Sequence, residues 1–78
     1  MKNLISVLFT RILEMATIDN PIDWLMEVEA IVPACKELKE FSNCEQAELV
    51  IDKMIAYLQQ DIRWTDLMIT YTEYETNA

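Results

Sequence analysis

Large apolar residues recur along most of this chain with the three- or four-residue spacing of an α-helix. From Asn3 to Ala16 the polar positions form one narrow stripe, and every other residue except Arg11 is apolar. A helix that is apolar around most of its circumference lies at the centre of a bundle or is shared between subunits. The pattern therefore predicts a first helix over residues 3–16. The candidates for a self-association seam on this helix are Leu8, Phe9 and Ile12.

A second apolar stripe follows a polar link that carries its own start signals. Asp19 or Asn20 can cap a helix, and Pro21 suits a first helical turn. Pro33 removes a backbone donor in mid-helix, yet the stripe continues beyond it without a change of phase. We expect a helix over residues 21–41, kinked at Pro33 or divided there into two short helices nearly in line. The predicted inward stripe is Trp24, Leu25, Val28, Ile31, Val32, Cys35 and Leu38, and the predicted outer edge is Asp23, Glu27 and Ala30.

A third helix is predicted from a start signal and a new apolar stripe. Ser42 followed by Glu45 is a capping-box pattern, in which each side chain bonds the other residue's backbone N–H. Asn43 with Gln46 offers the same pattern one residue later. An apolar stripe of helical period follows, so we expect this helix to cover residues 43–60.

Asp61 would fall in the middle of the apolar face if the third helix continued. An unpaired buried carboxylate is costly, so the sequence leaves three interpretations. The helix ends near Gln60 and Asp61 caps the next one, or Asp61 pairs with an Arg or Lys, or it forms the polar centre of an interface. The first interpretation favours a fourth helix over residues 62–74. The β-branched and aromatic residues of this tail would also suit a strand, but the rest of the chain offers no partner strand.

Together these segments predict an all-α fold, a single domain over residues 1–78 built as a small three- to four-helix bundle or helical hairpin. The chain has no glycine, which most tight hairpins and phosphate-binding loops need. It is 53% hydrophobic over 78 residues, whereas a domain of that size hides only about 60–65% of its unfolded surface. Apolar surface should remain after folding, and we expect a homodimer or another partner to cover it.

The charge balance is strongly acidic, with 14 Asp and Glu against 6 Lys and Arg and a net charge of −8. Such a surface repels nucleic-acid phosphates and anionic lipid, so we expect no direct nucleic-acid or membrane binding. It suits a protein partner with a basic surface, although solubility alone also accounts for it. Carboxylates can also imitate phosphates, which leaves a nucleic-acid mimic as a weaker alternative.

Residues that could carry chemistry are few. Asp23 with Glu27 is a carboxylate pair one turn apart, and Glu48 with Asp52 is another. Such pairs can perform acid–base work, but these lie on predicted outer faces, where charges are usually only solvated. The chain has no histidine to serve as a general base or metal ligand, and no nucleotide-binding motif. We expect neither an enzyme nor a bound metal or cofactor.

The cysteines and the N-terminus bear on localisation. Cys35 and Cys44 are too few for a disulfide scaffold and fit buried thiols in a reducing cytosol. A disulfide clip between them, or half of a metal site, are the alternatives. The apolar N-terminal run is interrupted by Arg11 and Glu14 and lacks a small-residue cleavage site, unlike a signal peptide or a membrane span. We expect a cytoplasmic protein that starts at Met1.

Protein–protein interaction is the function that these features favour. Aromatic and methionine side chains are enriched at interface centres and charges at rims, although the same residues would equally fill a bundle core. We expect an adaptor or inhibitor that docks on a larger protein, with a self-assembling subunit or assembly chaperone as the alternative. The short, glycine-free organisation resembles in style the small accessory proteins of phages and mobile elements. The residues expected to contact a partner are Asp23, Trp24, Glu27, Trp64, Tyr71 and Tyr74.

Overall fold

The computed structural model describes residues 2–77, and this part of the chain contains helices but no strand. The helices are α1 (Lys2–Glu14), α2 (Pro21–Glu40), α3 (Glu45–Leu58) and α4 (Trp64–Asn77), with a short 3-10 turn at Met15–Thr17 after α1. The all-α prediction is confirmed, and the tail is helical. α2 runs through Pro33 as one helix rather than two. α3 and α4 both begin later than predicted, and α4 continues to Asn77.

α3 is the centre of the bundle, because it packs against each of the other three helices. Its inward face is wholly apolar and buried, and consists of Ala47, Val50, Ile51, Met54 and Leu58. α1 buries only one of its faces and leaves Leu4, Val7 and Leu13 about half exposed. The all-round apolar pattern of α1 therefore marks a helix with one core face and one exposed apolar face.

Six aromatic rings form a continuous chain through the core and join all four helices. In order of contact they are Trp24, Tyr57, Trp64, Phe9, Tyr71 and Tyr74. Phe9 of α1 lies between two rings of α4, with centroids 3.8 Å from Tyr71 and 5.6 Å from Trp64. Each such pair adds about 0.5–1.5 kcal/mol beyond the burial of its area. Phe9 is therefore the ring that ties α1 to α4.

α2 begins as predicted, whereas α3 does not. The Ile22 N–H donates to Asn20 Oδ1 at 2.8 Å, and Pro21 occupies the first turn of α2. At α3 the capping-box prediction is wrong, because Cys44 is the N-cap and its side chain makes no capping bond. The Ser42 hydroxyl instead accepts from the Cys44 N–H at 3.3 Å and donates to the Cys44 carbonyl at 3.2 Å. This local turn engages the hydroxyl before the helix begins.

α3 ends in a Schellman motif, a pair of backbone hydrogen bonds that closes a helix C-terminus. The Asp61 N–H donates to the Ala56 carbonyl at 2.8 Å. The Gln60 N–H donates to the Tyr57 carbonyl at 3.0 Å. The motif requires a left-handed residue, and Gln60 takes that conformation with a φ of 64°. A residue with a Cβ loses roughly 1–2 kcal/mol there, and this glycine-free chain bears that cost at Gln60.

Replacing Gln60 with glycine should stabilise the protein. Relief of the left-handed strain outweighs the larger backbone entropy that glycine loses on folding, so the free energy of unfolding should rise by about 0.5–1 kcal/mol. Urea denaturation followed by circular dichroism measures the change. Gln59→Gly is the matched control, because Gln59 has a φ of −88° and no strain to relieve. Glycine at Gln59 should be neutral or destabilising, and equal effects at both positions would contradict this account.

The break at Gln60 confirms one part of the first interpretation of Asp61 and contradicts the other. α3 does end before Asp61, which is exposed. Asp61 does not cap α4, however, because α4 begins only at Trp64. Asp66 caps this helix instead, with its Oδ2 accepting from the Arg63 N–H at 3.4 Å. A carboxylate in the first turn also interacts favourably with the helix dipole.

The two cysteines lie in different environments, and neither forms a disulfide. Cys35 is fully buried on α2, where loss of hydration raises the pKa of its thiol from 9.0 to about 11. Cys44 is exposed, so the expectation that both thiols are buried is wrong for Cys44. It lies just outside α3, before the apolar stripe of that helix begins.

A thiol reagent should distinguish the two cysteines. In the folded protein Cys44 should react quickly, whereas Cys35 should react only after denaturation, because burial blocks access and the raised pKa keeps the thiol protonated. Counting modified thiols before and after adding denaturant is the measurement. Cys44→Ser should remove the fast reaction and leave the slow one. Rapid modification of Cys35 in the folded Cys44→Ser variant would contradict its place in the core.

Candidate functional site

The aromatic residues predicted to contact a partner all lie in the aromatic chain. Trp24, Trp64 and Tyr71 are partly buried against the core, and Tyr74 is only 7% exposed. Burial raises the pKa of the Tyr71 and Tyr74 phenols. These rings hold the bundle together in the folded chain, and partner contact through them stays a prediction.

The residues predicted for a self-association seam are also internal. Leu8, Phe9 and Ile12 are 9%, 5% and 1% exposed, and all belong to the core cluster of the single chain. In the folded chain these side chains pack against the protein's own core, and self-association through them stays a prediction. An apolar surface on α1 is instead formed by Leu4 and Val7, which lie on its exposed side.

Three of the exposed large apolar side chains surround a single groove between α1 and α2. Leu4 and Val7 on α1 are 56% and 57% exposed, and Phe41, the residue after α2, is 70% exposed. Glu37 is the one charged residue in the lining of this groove, whose volume is about 360 Å³. The remaining lining residues are Leu8, Ala34 and Leu38. We call this concavity the apolar groove.

A second concavity, of about 550 Å³, lies between the other ends of α1 and α2. Glu14, Asp23 and Glu27 line it together with Arg11. Arg11 Nη2 donates to Glu27 Oε2 at 3.2 Å, in an ion pair whose side chains are 44% and 40% exposed. An ion pair so exposed contributes at most about 1 kcal/mol. Three carboxylates against one guanidinium give this acidic cleft a net charge of −2, and Met26 on its lining is 63% exposed.

The two concavities lie end to end along the boundary between α1 and α2. On α1, Val7 of the apolar groove and Arg11 of the acidic cleft are one helical turn apart. On α2, Ala34 of the groove and Glu27 of the cleft are about two turns apart. The order along α2 is the reverse of that along α1, so the helices run in opposite directions. We call the whole boundary the furrow, with an apolar end and an acidic end.

The furrow brings together some of the predicted contact residues and adds others. Asp23 and Glu27, both predicted from the acidic edge of α2, line the acidic cleft. The sequence did not indicate that Glu14 of α1 would join them, because that depends on how α1 packs against α2. These acids are therefore part of a concave surface between two helices rather than of one helix edge alone.

Phe41 is the aromatic residue that the sequence interpretation missed. It ends the predicted second helix next to a clear break, and its helical phase lies roughly 100° from the centre of the buried face at Ile31 and Cys35. That phase was the available signal. The helical phase of Leu25 lies about 100° from the centre of the buried face on the opposite side from Phe41. Leu25 is 58% exposed, so its assignment to the inward stripe is wrong.

Other charged surfaces of the described chain show no site. Lys39 Nζ donates to Asp52 Oδ1 at 2.7 Å across an α2–α3 cleft, and this bond raises the pKa of Lys39. The same cleft is also lined by Lys36, Glu40 and Glu48, so its surface carries both positive and negative charges. Within residues 2–77, acidic and cysteine side chains nowhere gather in a group able to hold a metal ion. None of the helices formed by those residues is both long and apolar enough to cross a membrane.

Comparison with known proteins gives no match to this chain. No protein-family model matches it, no curated protein is significantly similar in sequence, and no solved structure matches its fold significantly. Its residues define a small all-α protein whose surface carries one two-part furrow.

Proposed function

We propose that this protein is a small, acidic, non-enzymatic binding module, an adaptor or inhibitor that docks on a larger protein with a basic surface. The observation that carries the proposal is the apolar groove, where Leu4, Val7 and Phe41 are each more than half exposed. Exposed apolar side chains gathered around one concavity mark a binding surface more often than scattered ones do.

Burial of these side chains by a partner supplies the affinity in this proposal. Removing apolar surface from water stabilises a complex by about 25 cal/mol per Å². Aromatic anchors at the centre of an interface contribute most, while charges at the rim steer the encounter. Phe41 is the anchor, and Asp23 and Glu27 are the steering charges. Asp23 and Glu27 are already expected as contacts from the sequence. Phe41 takes the place of the four aromatic residues that the sequence predicts as contacts.

We place this function in the cytoplasm, where thiols stay reduced. Both Cys35 and Cys44 are free, and the exposed Cys44 would be open to oxidation in a secreted protein. Free thiols of this kind support the proposed location.

Site-specific photo-crosslinking tests the proposal. A photoreactive amino acid replaces Val7 in the furrow or, as a matched control, Ile69 on α4, since these residues are 57% and 59% exposed. In cells that produce the protein, the probe at Val7 should give a discrete adduct with a larger protein, identified by mass spectrometry. The probe at Ile69 should give none. Adducts at neither position, or the same adduct at both, would contradict the proposal.

A self-assembling subunit is the second candidate, because Leu4 and Val7 expose apolar surface on the helix predicted as a homodimer seam. Two copies, each with a net charge of −8, repel one another. A homodimer should therefore tighten as salt rises from about 50 to about 500 mM, whereas a basic partner should dissociate. Light scattering at both salt concentrations measures the mass of the particle and so distinguishes a homodimer from a complex with a basic partner. A dimer that tightens with salt and is lost in Val7→Lys would favour this candidate.

A further inference from the structure

The two ends of the furrow have different chemistry, and this difference defines what fits along it. The apolar groove is lined by one charged residue, Glu37, and otherwise by apolar side chains. The acidic cleft is lined by Glu14, Asp23 and Glu27, which outnumber its single Arg11. A segment that fits both must be apolar at one end and positively charged at the other.

The position of the furrow between two helices favours a third helix as its occupant. From Leu4 to Glu14 the α1 side of the furrow spans about 15 Å, which is the rise of about ten helical residues. A third helix packs into the groove between two others at the usual spacing of about 8–10 Å. An extended peptide fits less well, because residues 2–77 contain no strand whose edge could pair with its backbone.

Charge argues against a second copy of this chain as the occupant. Another copy brings a further −8 to a surface that is already acidic. Two of the cations of the chain, Arg11 and Lys39, are already held in ion pairs with its own Glu27 and Asp52. A copy of this protein is therefore a poor source of the positive end that the acidic cleft selects.

We infer that the furrow binds an amphipathic helix of a different protein, about three turns long, with apolar anchors in its first or last turns and Lys or Arg at the opposite end. The apolar anchors occupy the groove beside Val7 and Phe41, and the cations meet Glu14 and Asp23. This inference rests on the proposed function and names the class of partner segment that the module recognises. The cations fix the orientation of the bound helix, because the reverse orientation brings apolar side chains to the carboxylates.

Selection from a displayed library of helical peptides tests the inference. The probe is a library of peptides about 14 residues long, with surface positions randomised over apolar, basic, acidic and small residues, selected on the immobilised full-length protein. The enriched peptides should carry apolar residues at i and i+3 or i+4 in one half and Lys or Arg in the other half. No enrichment, or enrichment without the basic half, would overturn the inference.

Two matched pairs of variants locate the two halves of the selected peptides. Val7→Lys should weaken binding at least about tenfold, whereas Ile69→Lys, at a similarly exposed site, should change it less than about twofold. Glu14→Lys should weaken binding about five- to tenfold more than Glu29→Lys, which changes the net charge equally but lies outside the furrow. Equal effects within either pair would overturn the assignment.

The outcome separates this inference from the proposed function. If the probe at Val7 captures a larger protein but the selected peptides lack the two-part pattern, the binding module stands and the helical occupant is wrong. If Val7 captures nothing and no peptide is enriched, both are wrong. If the captured protein crosslinks through a helix with the two-part pattern, both are supported.

Discussion

Phe9→Ala should unfold the protein or come close to doing so. The Phe9 ring is 5% exposed and stacks on both Tyr71 and Trp64, so its removal leaves a cavity and separates α1 from α4. A buried Phe→Ala change costs about 3–5 kcal/mol. At about 0.05–0.15 kcal/mol per residue, that is a large part of the total stability of a chain this short. Urea denaturation monitored by circular dichroism measures the loss.

Phe41→Ala is the control that this protein itself provides. It removes the same side chain from a site that is 70% exposed, so the free energy of unfolding should change by no more than about 0.5 kcal/mol. The two phenylalanines of the chain thus divide into one that is buried in the core and one that is exposed at the groove. Comparable losses at both sites would mean that Phe41 is packed, and the apolar groove would not exist as described.

The double variant Val7→Lys, Phe41→Lys should lose partner binding by at least about 100-fold while remaining folded. Each change places a charge where an apolar anchor is buried in the complex, and truncation of an interface hot spot alone costs about 2 kcal/mol or more. About 2.8 kcal/mol in total corresponds to 100-fold. Calorimetry with the protein captured at Val7 measures the affinity. Both sites are exposed, so the unfolding curve should shift little.

Ile69→Lys is the matched control for the single change Val7→Lys. Ile69 is 59% exposed on α4 and lies outside the lining of the furrow. The change adds the same side chain and the same charge as Val7→Lys. If Ile69→Lys weakens binding as much as Val7→Lys, the added charge rather than the lost anchor is responsible, and the furrow is not the binding surface.

The periodicity of the sequence predicts which segments are helical, because a helix with one apolar face must bury it wherever the chain folds. The start of α2 is predictable for a second reason, which is that its signals are local. Asn20 accepts a hydrogen bond from a backbone N–H only two residues away, and Pro21 has a φ fixed by its own ring. The start of α3 is not predictable in this way. The Ser42 hydroxyl can bond within a local turn instead of capping the helix, and that turn satisfies its hydrogen-bonding groups equally well. The capping box and this turn both use only neighbouring residues, so the local sequence does not decide between them.

The furrow is less predictable because it belongs to no single element. On α1, Leu4 and Leu8 are one turn apart and look alike in the sequence, yet they are 56% and 9% exposed. The difference comes from where α2 and α3 lie, and α1 alone does not specify that. For the same reason the aromatic residues were predicted as partner contacts: a ring suits a core and an interface equally. The helical phase of Phe41 hints at its exposure, and the packing shows that Phe41 takes no part in the aromatic chain.

Mapping the footprint of the captured partner on isotope-labelled protein shows whether the partner binds at the furrow. Backbone amide chemical shifts are recorded as the partner is added. If the furrow is the binding surface, the largest changes fall on α1 between Leu4 and Glu14, on α2 from Asp23 to Glu40, and on Phe41. A footprint on the outer face of α4 around Ile69, or on α3 around the exposed Leu49, would contradict it.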